Sequence, residues 1–445
     1  MPNTSVRWAR QPLPDESVCL VPIDGDDGRR QVKVTEESRR ACVAIAQIIE
    51  PEAPDISIGT LRAGPPSARS FRSDEDVSCR LVPREAGQGG SLKFRCMRTD
   101  AANHLYDEDG ELTPQAADFD SDGVLLDDEG TPVTGPDGKS RKGDELRVKY
   151  FLGREPDARQ REMFTETVVS HLFWALGIPV DRVYMPASVR CFACSPSPNG
   201  QLIPDTASEP RIFRFASVER RYEGKKINVP RRRGWMGFGG GYDHGFSFGE
   251  LEGLATQSPK RKVNTEVLAA ALNIVSYNSF SSYQNELVCR PRKWSKDTGE
   301  CTESVAYVQD VGGTLGGEQA RTLPGVPGTP MKDHPRGDWS TFSQERVFSD
   351  PARCVLTYDV AGVRQLSEAG RTALARRIRD RVGLNELLVI VEKARIHRMD
   401  SRVTQLAATQ SGLPHGPALD RRVQRMWAEA INQRLREILE ARCPS

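Results

Sequence analysis

Asp310 is the residue of this chain whose type and setting most favour chemistry. It ends the β-branched and aromatic run of residues 305–309 and precedes Gly312, Gly313, Gly316 and Gly317, in the stretch VAYVQDVGGTLGG. A buried strand that delivers one carboxylate at its end, with glycines that let the backbone approach a bulky ligand, is a common way to present a metal-binding Asp to a phosphate. The same residues also fit an Asp that caps a glycine-rich turn after a core strand. Which reading holds depends on what stands beside it.

Three residues upstream supply candidates. Lys149 lies in the middle of a predicted strand over 145–152, ELRVKYFL. A strand lysine has two ordinary explanations: an edge position, where it faces water and blocks pairing with another chain, or a carboxylate partner. The apolar spacing of Phe164, Val168, Leu172 and Ala175 predicts a helix over 157–176, and Glu166 on that helix is the candidate partner. A polar loop, YNSFSSYQN, ends in Asn285, about 25 residues before Asp310, and a hairpin starting at 286–289 leads into the Asp310 strand.

Other motifs compete for attention. Asp118, Asp120, Asp122, Gly123, Leu125 and Glu129 match the spacing of an EF-hand calcium loop. The following GTPVTGP cannot form an exiting helix, however, and the neighbouring DEDG and PDG turns read as plain hairpin punctuation. Cys191 and Cys194 could form half a zinc site, but there is no second CxxC and the six histidines show no ligand spacing. The arginines of 231–233 and the glycines of 239–241 form a basic, glycine-rich loop, either simply solvated or able to hold phosphate or an acidic partner.

The elements that must position these residues fit a chain of 445 residues, long enough for one two-lobed domain with insertions. Residues 1–75 read as an N-terminal extension with one helix over 36–49. Strands are expected at 79–82 and 92–97, then an Asp- and Gly-rich insertion over 99–142, with no repeat visible. Residues 211–223 read as a strand running into a connector, and helices are expected over 265–275, 368–382, 385–398 and 419–442. The domains are then a β-rich part over 76–216 and a mainly helical part over 217–445.

With 62 basic and 61 acidic residues, the formal charge of +1 provides no overall field for nucleic acid or an acidic membrane. Mean hydropathy is −0.52, and no apolar run approaches the roughly 20 residues of a bilayer span. The N-terminus lacks the apolar core of a secretory signal and so reads as cytoplasmic. The ten cysteines leave an oxidising compartment open: Cys79 with Cys96, and Cys289 with Cys301, bracket hairpins suited to cross-strand disulfides.

In order, the chain offers a strand lysine, a helix glutamate, a loop ending in asparagine, and a strand-end Asp before glycines. With Val148-Lys149-Tyr150, Trp174-Ala-Leu-Gly177, the Cys191–Cys194 pair and Gln309-Asp310-Val311-Gly312, it resembles the atypical kinase-like families related to HipA and the lipid kinases. The likeness is strongest to a bacterial kinase-like group and spans roughly residues 79–398.

The resemblance implies an α+β, two-lobed protein-kinase-like fold with a small β-rich N-lobe and a mainly helical C-lobe. It also implies roles: Lys149 holding ATP phosphates, Glu166 anchoring that lysine, Asn285 and Asp310 binding Mg2+, and Ser217, Val218 and Glu219 meeting the adenine as a hinge. The hairpin through Gly87, Gly89 and Gly90 is the candidate cover over the nucleotide.

One departure matters. Such families place an Asp in the catalytic loop, in patterns like Asn-x-Asp-x-x-x-x-Asn, where this chain has Asn278, Phe280 and Asn285. Losing a general base costs roughly 10²- to 10⁴-fold in rate. The resulting expectation is a pseudokinase that binds ATP and Mg2+. The alternatives are an ATP-dependent phosphotransferase in which another acid, Asp243, acts as base, and an interaction protein that serves a protein partner without a nucleotide site.

Overall fold

The computed structural model describes residues 17–24, 30–51, 56–64, 70–83, 91–136, 138–153, 156, 160–199, 201, 203–205, 209–227, 229–230, 243–277, 285–309, 311–316 and 337–444. It is a mixed α/β structure with one large sheet and a helix-rich remainder.

The sheet has seven strands. Across it run Arg211–Phe213, Ser188–Phe192, Asp76–Leu81, Lys93–Thr99, Glu145–Tyr150, Ala216–Arg220 and Arg182–Tyr184. Every neighbouring pair is antiparallel except Asp76–Leu81 with Ser188–Phe192. Period-two alternation gives it two unlike faces. Leu146, Val148 and Tyr150 join Phe94, Phe213 and Val218 in one apolar cluster. Lys149 stands opposite Lys93 and Ser217, and Arg147 opposite Arg95 and Glu219, so the other face is charged. The lysine strand is therefore interior to the sheet, which removes the edge-lysine explanation.

Helix Glu162–Leu176 is buried along almost its whole circumference; Trp174 alone is only partly so. That fits its apolar composition. Its end is set by Gly177, left-handed at φ 71°, whose N–H bonds back to Phe173 and Trp174. Ser170 Oγ donates to the Asp181 carbonyl at 2.7 Å and accepts the Val183 N–H at 3.1 Å, pinning the helix to strand Arg182–Tyr184.

A second, three-stranded sheet pairs Glu286–Cys289 with Ser304–Tyr307 on one side and Lys225–Lys226 on the other. Helix Glu36–Ile45 and the chain after it pack into the main core, and Gln47 bridges Val305 in parallel. Helices Pro259–Ile274, Glu368–Arg379, Leu384–Lys393 and Pro417–Glu440 make up most of the helical part. Buried Arg434 ties it together by donating to the carbonyls of Asn273, Ile274 and Glu345. Helix Ser401–Ser411, not expected from the sequence, precedes the last helix.

The Asp- and Gly-rich insertion is a run of tight hairpins. Asp100, Asp107, Asp120 and Asp127 each accept two backbone N–H groups with Oδ1, from the second and fourth residues after the Asp. Three residues after each of these aspartates, Asn103, Gly110, Gly123 and Gly130 have φ between 72° and 86°. This is an Asx turn used four times, so a repeat is present that the sequence did not disclose. Within the EF-hand match, the Asp120 carboxylate is engaged in such a turn, and Leu125 is buried in a small core with Met97, Leu105 and Val133. Neither flank of the match is helical.

All ten cysteines pair, as Cys19–Cys42, Cys79–Cys96, Cys191–Cys194, Cys289–Cys301 and Cys354–Cys443. Both hairpin pairs expected from the sequence are among them. Cys191 and Cys194 bond to each other, which removes them as zinc thiolates.

Candidate functional site

Lys149 is 3% exposed on the charged face of the sheet. Its Nζ lies 2.5 Å from Glu166 Oε1 and 2.6 Å from Glu162 Oε1, with Glu219 Oε2 at 3.6 Å. A buried ammonium must be paired, and here three buried carboxylates surround one. Glu166 is the partner read from the sequence. Glu162, one helical turn earlier on the same face, was missed; its i−4 spacing from Glu166 was the available signal.

Glu219 also accepts from Arg147 Nη1 at 3.0 Å. Burial acts to raise its pKa, but the charges of Arg147 and Lys149 outweigh that and hold it down to about 2. Asp181, nearby in the same interior, is shifted the opposite way. Burial first, then the charges of Glu219 and Glu286, push its pKa well above the usual carboxylate range. Neither carboxyl oxygen has a hydrogen-bond partner among the described residues. Tyr307 Oη donates to Glu286 at 2.5 Å, and Lys226 pairs with Glu286 at 3.0 Å.

The glycine-rich turn reaches the same place. Thr165 Oγ1, on the glutamate helix, donates to the Gly312 carbonyl at 2.8 Å. A Cβ built on Gly312 would stand 2.1 Å from Glu162 Cγ and 3.1 Å from Glu166 Cγ. Close approach, rather than an unusual φ, is what requires glycine here. Fully buried Asn285 accepts the Gln309 N–H with Oδ1 at 3.3 Å, and its Nδ2 has no partner among the described residues. Lys149, Glu166 and the turn that follows Asp310 thus come together, with Asn285 joined to the residue that precedes Asp310.

Asp310 itself lies outside the described residues, as do Asn278, Phe280, Gly87, Gly89, Gly90, Gly317, the arginines of 231–233 and the glycines of 239–241. The backbone of Asp243 forms a short strand with His244 opposite Val229–Pro230. Two residues on, Gly245 runs so close to the Asn285–Leu287 backbone that a Cβ would lie 2.5 Å from Glu286 Cα.

Ser217, Val218 and Glu219 lie within a strand, not in a free connector. All three pair with the lysine strand, and Val218 and Glu219 also pair with Arg182–Tyr184. The chain leaves the large sheet only after Arg220. Residues 221–225 then line a groove of about 1000 Å³ together with Arg147, Glu219 and Trp294.

No protein-family model matches the chain. No curated protein matches it. Among solved structures it is similar to the Helicobacter pylori proinflammatory kinase CtkA, at 10% sequence identity and a TM-score of 0.37, over 82% of this chain and 96% of that one. Among the described residues, no helix is long and apolar enough to cross a membrane.

Proposed function

We propose that this chain is a two-lobed, kinase-like protein that binds ATP with Mg2+ and lacks the acid that accepts the substrate proton, a pseudokinase. The observation that carries the reading is the buried ion pair at 2.5 Å between Lys149 on an interior strand and Glu166 on the following helix, with Gly312 packed against that helix. A triphosphate needs a fixed cation, and the glutamate fixes this one.

Asn285 and Asp310 offer the hard oxygen donors that Mg2+ requires, and Asn285 is tied to the strand end that carries Asp310. These two residues would hold the ion, which when bound neutralises phosphate charge. In this reading Lys149 orients the phosphates, Glu166 holds Lys149 in place, and the base meets the chain beyond Ser217–Glu219, at 221–225, where the backbone leaves the large sheet.

Thermal unfolding of the full chain with and without MgATP tests the reading. Ligand at a hundredfold excess over Kd stabilises by about 2.7 kcal/mol. Asp310→Asn should abolish the shift, because an amide does not supply the metal's charge. No shift of the unsubstituted protein at millimolar MgATP removes the nucleotide site.

The close packing of Gly245 on the Asn285–Leu287 backbone supports a second reading, in which Asp243 acts as base in an ATP-dependent phosphotransferase. Transfer of labelled phosphate that is lost in Asp243→Asn would establish it; absence of transfer leaves the pseudokinase.

A further inference from the structure

We infer that Glu162 competes internally for the phosphate-facing side of Lys149 and so sets the affinity of the proposed nucleotide site. The inference rests on the nucleotide-binding reading above.

An ammonium has three donor hydrogens. Around Lys149, Glu166 Oε1 lies at 2.5 Å, Glu162 Oε1 at 2.6 Å and Glu219 Oε2 at 3.6 Å. One carboxylate is enough to fix a lysine. Glu166 does so from the second turn of the helix, and Glu219 is already shared with Arg147 at 3.0 Å. Glu162 adds a further, closer contact where none is needed for anchoring.

Its position explains what that contact does. Glu162 lies in the first turn of helix Glu162–Leu176, and the backbone of Gly312 passes it at a distance that leaves no room for a methyl group. The Glu162 side chain therefore lies between Lys149 and the turn that follows Asp310. A phosphate held by Lys149 beside that turn needs the same space. Its oxygens carry the charge and acceptor geometry that the Glu162 carboxylate supplies in its absence.

The first turn of a helix, at the positive end of its dipole, offers the displaced carboxylate a favourable place.

The test is equilibrium binding of MgATP to the full chain and to its Glu162→Gln and Glu162→Asp variants. A contact to a charged group of this kind, once weakened, should make Glu162→Gln bind on the order of tenfold tighter. Glu162→Asp, which withdraws the carboxylate but keeps its charge, should fall between. Merely structural damage would weaken binding, so tightening is the signature of a competitor.

Equal or weaker affinity in a folded Glu162→Gln overturns the inference and leaves the nucleotide site standing. If that variant does not fold, Glu162→Asp decides by the same criterion. Absence of binding in all three proteins overturns the nucleotide reading and the inference with it.

Discussion

The backbone of Gly312 runs against Glu162 so closely that a Cβ there would stand 2.1 Å from the glutamate Cγ. Gly312→Ala should therefore destabilise by about 1–3 kcal/mol through overpacking, read as a lower urea midpoint at an unchanged slope. Gly130→Ala is the control: its φ of 76° is strained for alanine, but nothing lies within 4 Å of the added carbon. It should lose only about 1–2 kcal/mol and leave MgATP binding unchanged, whereas Gly312→Ala should reduce it.

Removing the cation should cost more than removing one anion. Lys149→Met leaves Glu162 and Glu166 buried without their ammonium, and breaking such a pair typically costs about 3–5 kcal/mol. Glu166→Gln leaves Lys149 on Glu162 at 2.6 Å, so its loss should be smaller. Chemical denaturation of both variants gives the order, and a larger loss in Glu166→Gln would show that Glu162 is no second partner.

His171 makes the fold sensitive to mild acid. It is fully buried, with Nδ1 on the Thr167 carbonyl at 2.8 Å and Nε2 without a partner among the described residues. Burial first, then the charge of Lys393, lowers its pKa from 6.5 to about 3. Between those values the unfolded chain takes up a proton that the native state refuses, so stability falls as pH drops below 6.5. His171→Phe should flatten that slope. Denaturation midpoints at pH 7 and pH 5, compared between this variant and the unsubstituted chain, isolate it, because His397, also shifted down, and Asp181, shifted up, act on both proteins alike.

Disulfide losses should rank by the loop closed. Cys354–Cys443 spans 89 residues and Cys191–Cys194 only 3. Chain entropy gives about 4–5 kcal/mol for the first and about 2 kcal/mol for the second. Thermal melts of Cys443→Ser and Cys194→Ser test the order, and thiol titration of unreduced, denatured protein should find no free cysteine.

The parts of the site legible in the sequence were those written as local patterns. A lysine between Val148 and Tyr150 in a strand-like run and a glutamate on a helix with regular apolar spacing pointed to the Lys149–Glu166 pair, and cysteines flanking hairpins pointed to Cys79–Cys96 and Cys289–Cys301. Three-dimensional relationships were not legible. Cys19–Cys42 and Cys354–Cys443 join segments whose proximity no local pattern encodes. Residues 217–219 were read as a hinge because nothing local announces that Arg182–Tyr184 returns to pair beside them. The repeated Asx turn escaped notice because only the first and fourth residues of each turn recur, at uneven intervals.

That run of turns also bears on the order of folding. Its bridges, such as Thr99 with Leu105, Tyr106 with Leu112 and Thr134 with Ser140, close over six residues each. Strand Asp76–Leu81, in contrast, waits for Ser188–Phe192 more than a hundred residues downstream. Short hairpins form in about 1–10 μs, whereas contacts of long separation slow a fold. The insertion is a low-contact-order island that can assemble before the sheet whose strands it connects, holding the ends of Lys93–Thr99 and Glu145–Tyr150 side by side so that the strand bearing Lys149 enters the sheet already in register.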